Sequence, residues 1–235
     1  MPVPGGEIQL KQSSLSLALI SNRTSIVTNT ITIGTAAAVG ATSLSLTADA
    51  ANVKLYAGQA LSFIAATSPT GRQQAVLLDD VTLSTTAATV NIFPLISAIA
   101  ANSTSKLVAG MLPVLGIQEF GLQSSDTDVD TTNTLSSIGT EVALIRSSKT
   151  FNISGIQIPG DRGLYQIVKP VCLEAAFFGR EVYAILSLPD GEMFEGVAKV
   201  RNFSAPGSQN EVKKYTFELM IMGATFKYTS PHIFA

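Results

Sequence analysis

Cysteine is nearly absent. Cys172 stands alone, which excludes an internal disulfide framework and any zinc site built on several thiolates. Histidine is as scarce: His232, close to the last residue, is the single one, which argues against a catalytic triad or a His-rich metal site. Tryptophan is missing, and charged residues make up 14 % of the chain, against roughly 25 % in typical soluble domains. No Lys/Arg cluster exceeds Lys213-Lys214, so the chain lacks an electrostatic footprint for gripping phosphates. No apolar run reaches the ~18 residues of a bilayer-spanning helix; the longest candidate, Ile92 to Ala101, is short and contains Pro94. The first residues, Met1-Pro2-Val3-Pro4-Gly5-Gly6, lack the charged and apolar regions of a signal peptide.

Fifteen basic and seventeen acidic residues give a net charge of −2, and mean hydropathy is positive. A charge-poor, apolar chain without a membrane-spanning run usually covers its surface with another protein chain, so composition points to an oligomer. Its 235 residues are enough for one large domain or two small ones. Abundant Ser, Thr, Ala and Val suit many short strands.

Residues 1–12 read as an arm. Leu15, Leu17 and Leu19 alternate along a strand, and Ile31 and Ile33 continue the pattern in a second. Texture changes from Gly34 to about Ala109, where a weak duplication is visible. Gly40-Ala-Thr-Ser-Leu-Ser-Leu-Thr leads to Ala57-Gly58-Gln-Ala-Leu-Ser-Phe63, and Ala87-Ala-Thr-Val-Asn-Ile-Phe-Pro94 leads to Ala101-Asn102-Ser-Thr-Ser-Lys-Leu107. Each half predicts a strand, a connection, then a Gly or Asn turn opening another strand. Ser68-Pro69-Thr70-Gly71 reads as a tight turn between the halves. Residues 34–109 are therefore expected to be a small all-β module.

Ser124 to Gly139 is polar and reads as a long exposed loop. Within it, Asp126-Thr-Asp128-Val-Asp130 mimics the start of a calcium loop, but the sixth and twelfth positions are Thr131 and Ser137 where Gly and Glu are required. No metal is expected there. Farther on, Phe151 and Ile153 lie on one strand face and Ile156 and Ile158 on the other, which predicts a β-bulge at Gly155. Gly160-Asp161 offers a helix N-cap. Leu164, Val168, Val171, Ala175 and Phe178 follow as one apolar stripe, with Pro170 breaking or kinking it and Gly179 ending it. Cys172 beside that stripe reads as a buried structural thiol. Arg180 to Leu188 is apolar enough to be buried on both faces. Pro189-Asp190-Gly191 turns the chain into a strand from Glu192 to Phe203, and Tyr215, Phe217, Leu219 and Ile221 alternate along the last long strand. The class expected is mainly β, a β-sandwich or barrel with one flanking α-helix, plus the inserted module.

The order of Val129-Asp-Thr-Thr-Asn133, Phe151-Asn-Ile-Ser-Gly155, Gly160-Asp161, Tyr183 with Pro189-Asp190-Gly191, Phe194-Glu195-Gly196 and Asn202-Phe203 resembles the major tail (tail tube) proteins of long-tailed bacteriophages. The resemblance covers residues 7–33 loosely and 110–235 well, and leaves 34–109 outside it. It implies a tail tube β-sandwich domain made of residues 1–33 and 110–235. It also implies hexameric rings of the chain itself, stacked into a channel through which double-stranded DNA passes without specific binding. Tape measure, terminator, and baseplate or sheath proteins would be further partners, in the virion and, during assembly, in the host cytoplasm, with no membrane insertion. Asp126, Asp128, Asp130, Thr132 and Asn133 would then form an inter-ring loop. Glu195, Lys199, Arg201 and Glu218 would face the lumen or a neighbouring subunit, unless they form a merely solvated strand face.

A capsid decoration or adhesin-like binding module of a phage particle is the alternative, with 34–109 as its recognition part. Composition alone leaves Ser-Lys or paired-carboxylate chemistry open. The chain shows no nucleophile elbow and no phosphate-cradling glycine loop, so neither catalysis nor a cofactor is expected.

Overall fold

A computed structural model of the chain describes residues 13–21, 26–65, 68–130, 142–188, 192–206, 212–222 and 227–229. The expected arm at 1–12, Thr132 and Asn133, the Pro189-Asp190-Gly191 turn and His232 lie outside them. In chain order the strands are β1 (Ser14–Leu19), β2 (Thr28–Ile33), β3 (Ser43–Ala48), β4 (Val53–Leu55), β5 (Ala60–Ala65) and β6 (Ser68–Val76). They continue with β7 (Val81–Leu83), β8 (Ala88–Asn91), β9 (Thr104–Val108), β10 (Leu112–Val114), β11 (Ile117–Asp130) and β12 (Val142–Ile156). A helical segment follows, ending in α1 (Lys169–Leu173), and then β13 (Glu181–Ser187), β14 (Met193–Ser204), β15 (Lys214–Ile221) and β16 (Lys227–Thr229).

The fold is mainly β, as expected. One antiparallel sheet runs β10-β1-β13-β14-β15-β12-β11, with β16 beside the start of β14. A second runs β6-β5-β9-β2-β3-β8, and β4 pairs with β7. The strands matched in the internal repeat are neighbours: β3 pairs with β8, and β5 meets β9 at Ile64 and Thr104. Gly58 and Asn102, which open β5 and β9, both have positive φ, the left-handed turn expected of those residue types.

Two departures concern this half. β2 pairs with β3 and β9, so Ile31 and Ile33 belong to the second sheet, beyond the boundary expected after residue 33. Alternation shows that a segment is a strand but not which sheet it joins. The Ser68-Pro69-Thr70-Gly71 stretch begins strand β6, with an irregular register opposite Ile64 and Ala65, rather than forming an isolated turn.

Two cores follow from the two faces of the first sheet. On one face Leu15, Leu17, Phe151, Ile153, Val182, Ala184, Leu186, Val200, Phe217 and Leu219 pack under the helical segment. The opposite face meets the second sheet through Ala18, Tyr183, Ile185 and Met193, which join the core of Ile31, Leu46, Phe63 and Leu77. β13 is sandwiched between both, which is why its sequence is apolar at successive positions.

The helix is broken where proline dictates. Residues Leu164–Val168 form a wide π-helical turn, with the Lys169 N–H donating to the Leu164 carbonyl. Pro170 has no N–H, and in a regular α-helix its ring would strike the carbonyl four residues back; the wider turn relieves that clash. Pro170 thus sits in the first turn of α1, where its missing donor costs nothing. The predicted stripe is buried at Leu164, Val168 and Val171 but not beyond. Ala175 and Phe178 are exposed, because the helix ends at Leu173 and Glu174 is extended. Gly179, with positive φ, turns the chain toward β13, and its N–H donates to the Val171 carbonyl of α1 at 3.3 Å.

Candidate functional site

Glu195, Lys199 and Arg201 occupy alternate positions of β14 on the face away from the helix, and Glu218 is the cross-strand partner of Arg201 on β15. Arg201 Nε lies 3.4 Å from Glu218 Oε2. Lys199 is exposed on the same face, opposite Met220 and Glu181. Glu195 is separated from this group: it stands near the second sheet, its carboxylate largely buried, with Lys227 Nζ of β16 at 3.6 Å. The structure therefore brings Arg201 and Glu218 together and leaves Glu195 in another environment.

Toward the β11 edge the same face carries further polar side chains. The Ser154 hydroxyl donates to Glu119 Oε2 at 3.3 Å, and Asn152, Thr216 and Glu218 border a groove of about 530 Å³ with them. Its charged lining is acidic, two glutamates without a lysine or arginine. Sequence reading misses Glu119, Asn152 and Ser154, because the β11–β12–β15 register assembles them from distant segments.

Asp126, Asp128 and Asp130 were expected in a loop, and the structure places them in β11. That strand pairs with β12 from Ile117 to Asp130. A run of Ser, Asp and Thr with a single Val gives no hydrophobic alternation, so its strand character is invisible without its partner. β12 pairs with β15 only over Lys149 to Ile156. Residues 124–130 and 142–148 therefore extend as a two-stranded ribbon past the body of the sheet among the described residues. At about 3.4 Å per residue the ribbon is roughly 20–25 Å long.

A polar clamp anchors the base of that hairpin. Asp161, fully buried, accepts the Leu164 N–H at Oδ1 and the Leu115 N–H at Oδ2, both at 2.9 Å. The first bond is the N-cap anticipated at Gly160-Asp161; the second joins a residue 46 positions away and has no local signature. Burial pushes the Asp161 carboxyl up, against the pull of the Leu164, Leu115 and Gly163 N–H groups and of Lys169. The Tyr215 hydroxyl donates to the Leu115 carbonyl at 2.9 Å, so both backbone groups of Leu115 are held. Burial, and then the nearby Asp161 charge, raise the Tyr215 phenol. The bulge predicted at Gly155 lies instead on β11, where Gln118 is the extra residue; Gly155 keeps regular pairing with Tyr215.

Cys172 is half-buried on α1. Burial raises its thiol, although the Phe203 N–H bonded to it pulls the other way. Such a thiol is mostly protonated and a poor nucleophile.

No protein-family model matches the chain, and no curated protein matches it. Among solved structures, a chain in the tail of an empty GTA particle with C6 symmetry aligns with it at a TM-score of 0.38 and 18 % identity. The alignment covers 52 % of this chain and 88 % of that one, and a likeness of that strength does not by itself establish a common fold.

Proposed function

We propose that the chain is a structural protein of a phage particle. In this reading it is the tail tube subunit, which self-assembles into stacked hexameric rings around a channel for genome passage. The observation that carries the proposal is the β11–β12 ribbon. A two-stranded hairpin is marginally stable by itself in water, and this one leaves the sheet with no further strand of the described chain beside it. A neighbouring copy supplies the missing support. β11 is also a fourteen-residue edge strand, and an edge of that length is normally closed by a partner chain.

The open polar face fits the same role. Among the described residues its groove is lined by two glutamates and no lysine or arginine. Arg201 is tied to Glu218 at its rim, which leaves Lys199 as the exposed cation of β14 on that face, too little positive charge to grip DNA phosphates. The order of sequence motifs that resembles tail tube proteins supports the family. The second sheet is then a module inserted into the tube domain and carried on the outside. Asp126, Asp128 and Asp130 would lie at the ring-to-ring contact, and no catalytic step or cofactor is assigned.

Negative-stain electron microscopy over a concentration series tests this. Hollow six-fold rings or striated tubes are the expected result. Discrete small particles at every concentration, also after addition of a tail initiator complex, would shift the reading to a capsid decoration or adhesin-like module.

A further inference from the structure

Between the second sheet and the face of the first sheet that it covers lies a cavity of about 310 Å³, at the small end of ligand pockets, which run from about 300 to 1,000 Å³. Its charges are unbalanced. Among the described residues, Arg72, Lys106 and Lys227 line it against a single carboxylate, Glu195. Lys227 and Glu195 lie 3.6 Å apart and offset one another, which leaves the net positive charge on Arg72 and Lys106. In a chain so poor in charge, and with no basic cluster longer than two residues in sequence, this concentration is made by the fold alone.

Arg72 is half-buried, and its Nη1 donates to the Met193 sulfur at 3.9 Å. A thioether is a weak acceptor, whereas a guanidinium matches a carboxylate with two parallel bonds. Tyr183 adds a hydroxyl at the same wall. Burial, then Glu195, push its phenol up to about 12, against the pull of Arg72, so it keeps its proton at neutral pH and can donate. The remainder of the wall includes Ile64, Val108 and Ile185, which would dehydrate a bare phosphate without return but suit methylene groups.

We propose that this cavity binds a carboxylate on a short apolar stem, either an acidic side chain of another polypeptide or a small organic acid. Arg72 and Lys106 hold the charge, Tyr183 donates a hydrogen bond, and the isoleucine and valine side chains cover the stem. The binding of a carboxylate does not rest on the tail tube reading; only the comparison of dispersed with assembled protein does.

Calorimetric titration of the full chain with glutarate, and with inorganic phosphate beside it, is the test. Saturable glutarate binding is expected, weakened at least tenfold in R72Q and in K106Q. Lys106 is exposed, so K106Q keeps its fold and remains informative if R72Q does not. Absence of saturable glutarate binding, or equal binding by folded K106Q, overturns the site. Phosphate binding as tightly as glutarate overturns the role of the apolar wall. Repeating the titration on dispersed and on assembled protein separates the two sources. Glutarate that binds only the dispersed form identifies a neighbouring copy as the donor, and equal binding to both identifies a free acid.

Discussion

The phenol of Tyr215 stands where a β-carbon on Gly155 would have to be. The two residues face each other across β12 and β15, and a β-carbon built on Gly155 would lie 2.6 Å from the Tyr215 hydroxyl oxygen and closer still to the Gly116 carbonyl oxygen. Phe151 and Ile153 fill the core ahead of it, and at the next inward position the tyrosine ring substitutes for a side chain. G155A should therefore overpack this spot and cost about 1–3 kcal/mol, or more if Tyr215 loses its bond to Leu115. Urea unfolding measures the change, and an unaltered midpoint would show that the ring and the Gly116 backbone both move aside freely.

Alkaline pH should weaken the fold through the same tyrosine. Burial, and secondarily the charge of Asp161, raise Tyr215 above the ordinary phenol value of about 10, and Tyr183 rises to about 12. A raised folded-state pKa favours the protonated form in the fold. The contribution is thus complete below pH ~10 and is lost as pH climbs through the folded values. Unfolding midpoints measured from pH 8 to 11.5 should fall above pH 10. Y215F should fall less steeply there, while losing about 1 kcal/mol at neutral pH with its hydrogen bond; parallel curves for the two proteins would contradict the assignment.

The two sheets are joined by contacts of unequal worth. The buried Ser14 hydroxyl of β1 donates to the Gly58 carbonyl at 2.9 Å and accepts the Ala60 N–H at 3.2 Å. S14A leaves both backbone groups unpaired in a dry place and should cost about 1–3 kcal/mol. Arg162 also crosses to the 34–109 half, pairing with Asp80 in the β6–β7 connection at 2.8 Å and covering the ring of Tyr56 in the β4–β5 connection. Those charged side chains are 39 % and 52 % exposed, so R162M should cost only about 0–1 kcal/mol. Thermal denaturation of the two variants, side by side, checks the order.

Removing the ribbon should separate assembly from folding. Joining Ser125 to Ser148 by an Asn-Gly turn deletes the part of the hairpin that β15 does not support, and such a two-residue turn suits antiparallel strands. The shortened protein should unfold within a few degrees of the parent yet form no rings or tubes. Normal tubes from it, seen by electron microscopy, would remove the ribbon from the assembly mechanism.

Local chemistry alone determined several features of this protein. Alternation gave the strands around Leu15, Leu44 and Phe217, because a half-buried strand must place every second side chain in the core. Pro170 enforced a break in the helix, since its missing N–H and its ring act on the nearest turn whatever lies around it. Asp161 was legible as a cap for the same local reason. Of the candidate site, the charges on β14 and β15 could be named, but not that Arg201 meets Glu218 while Glu195 turns toward Lys227. Pairing decided the rest. The segment 124–130 is a strand because β12 hydrogen-bonds to it, not because one of its faces is apolar. β2 joins the second sheet through β3 and β9, and Leu115 meets Asp161 and Tyr215 only once three distant segments converge. These are contacts between residues far apart in the chain, and no periodicity of one segment encodes the identity of its neighbour.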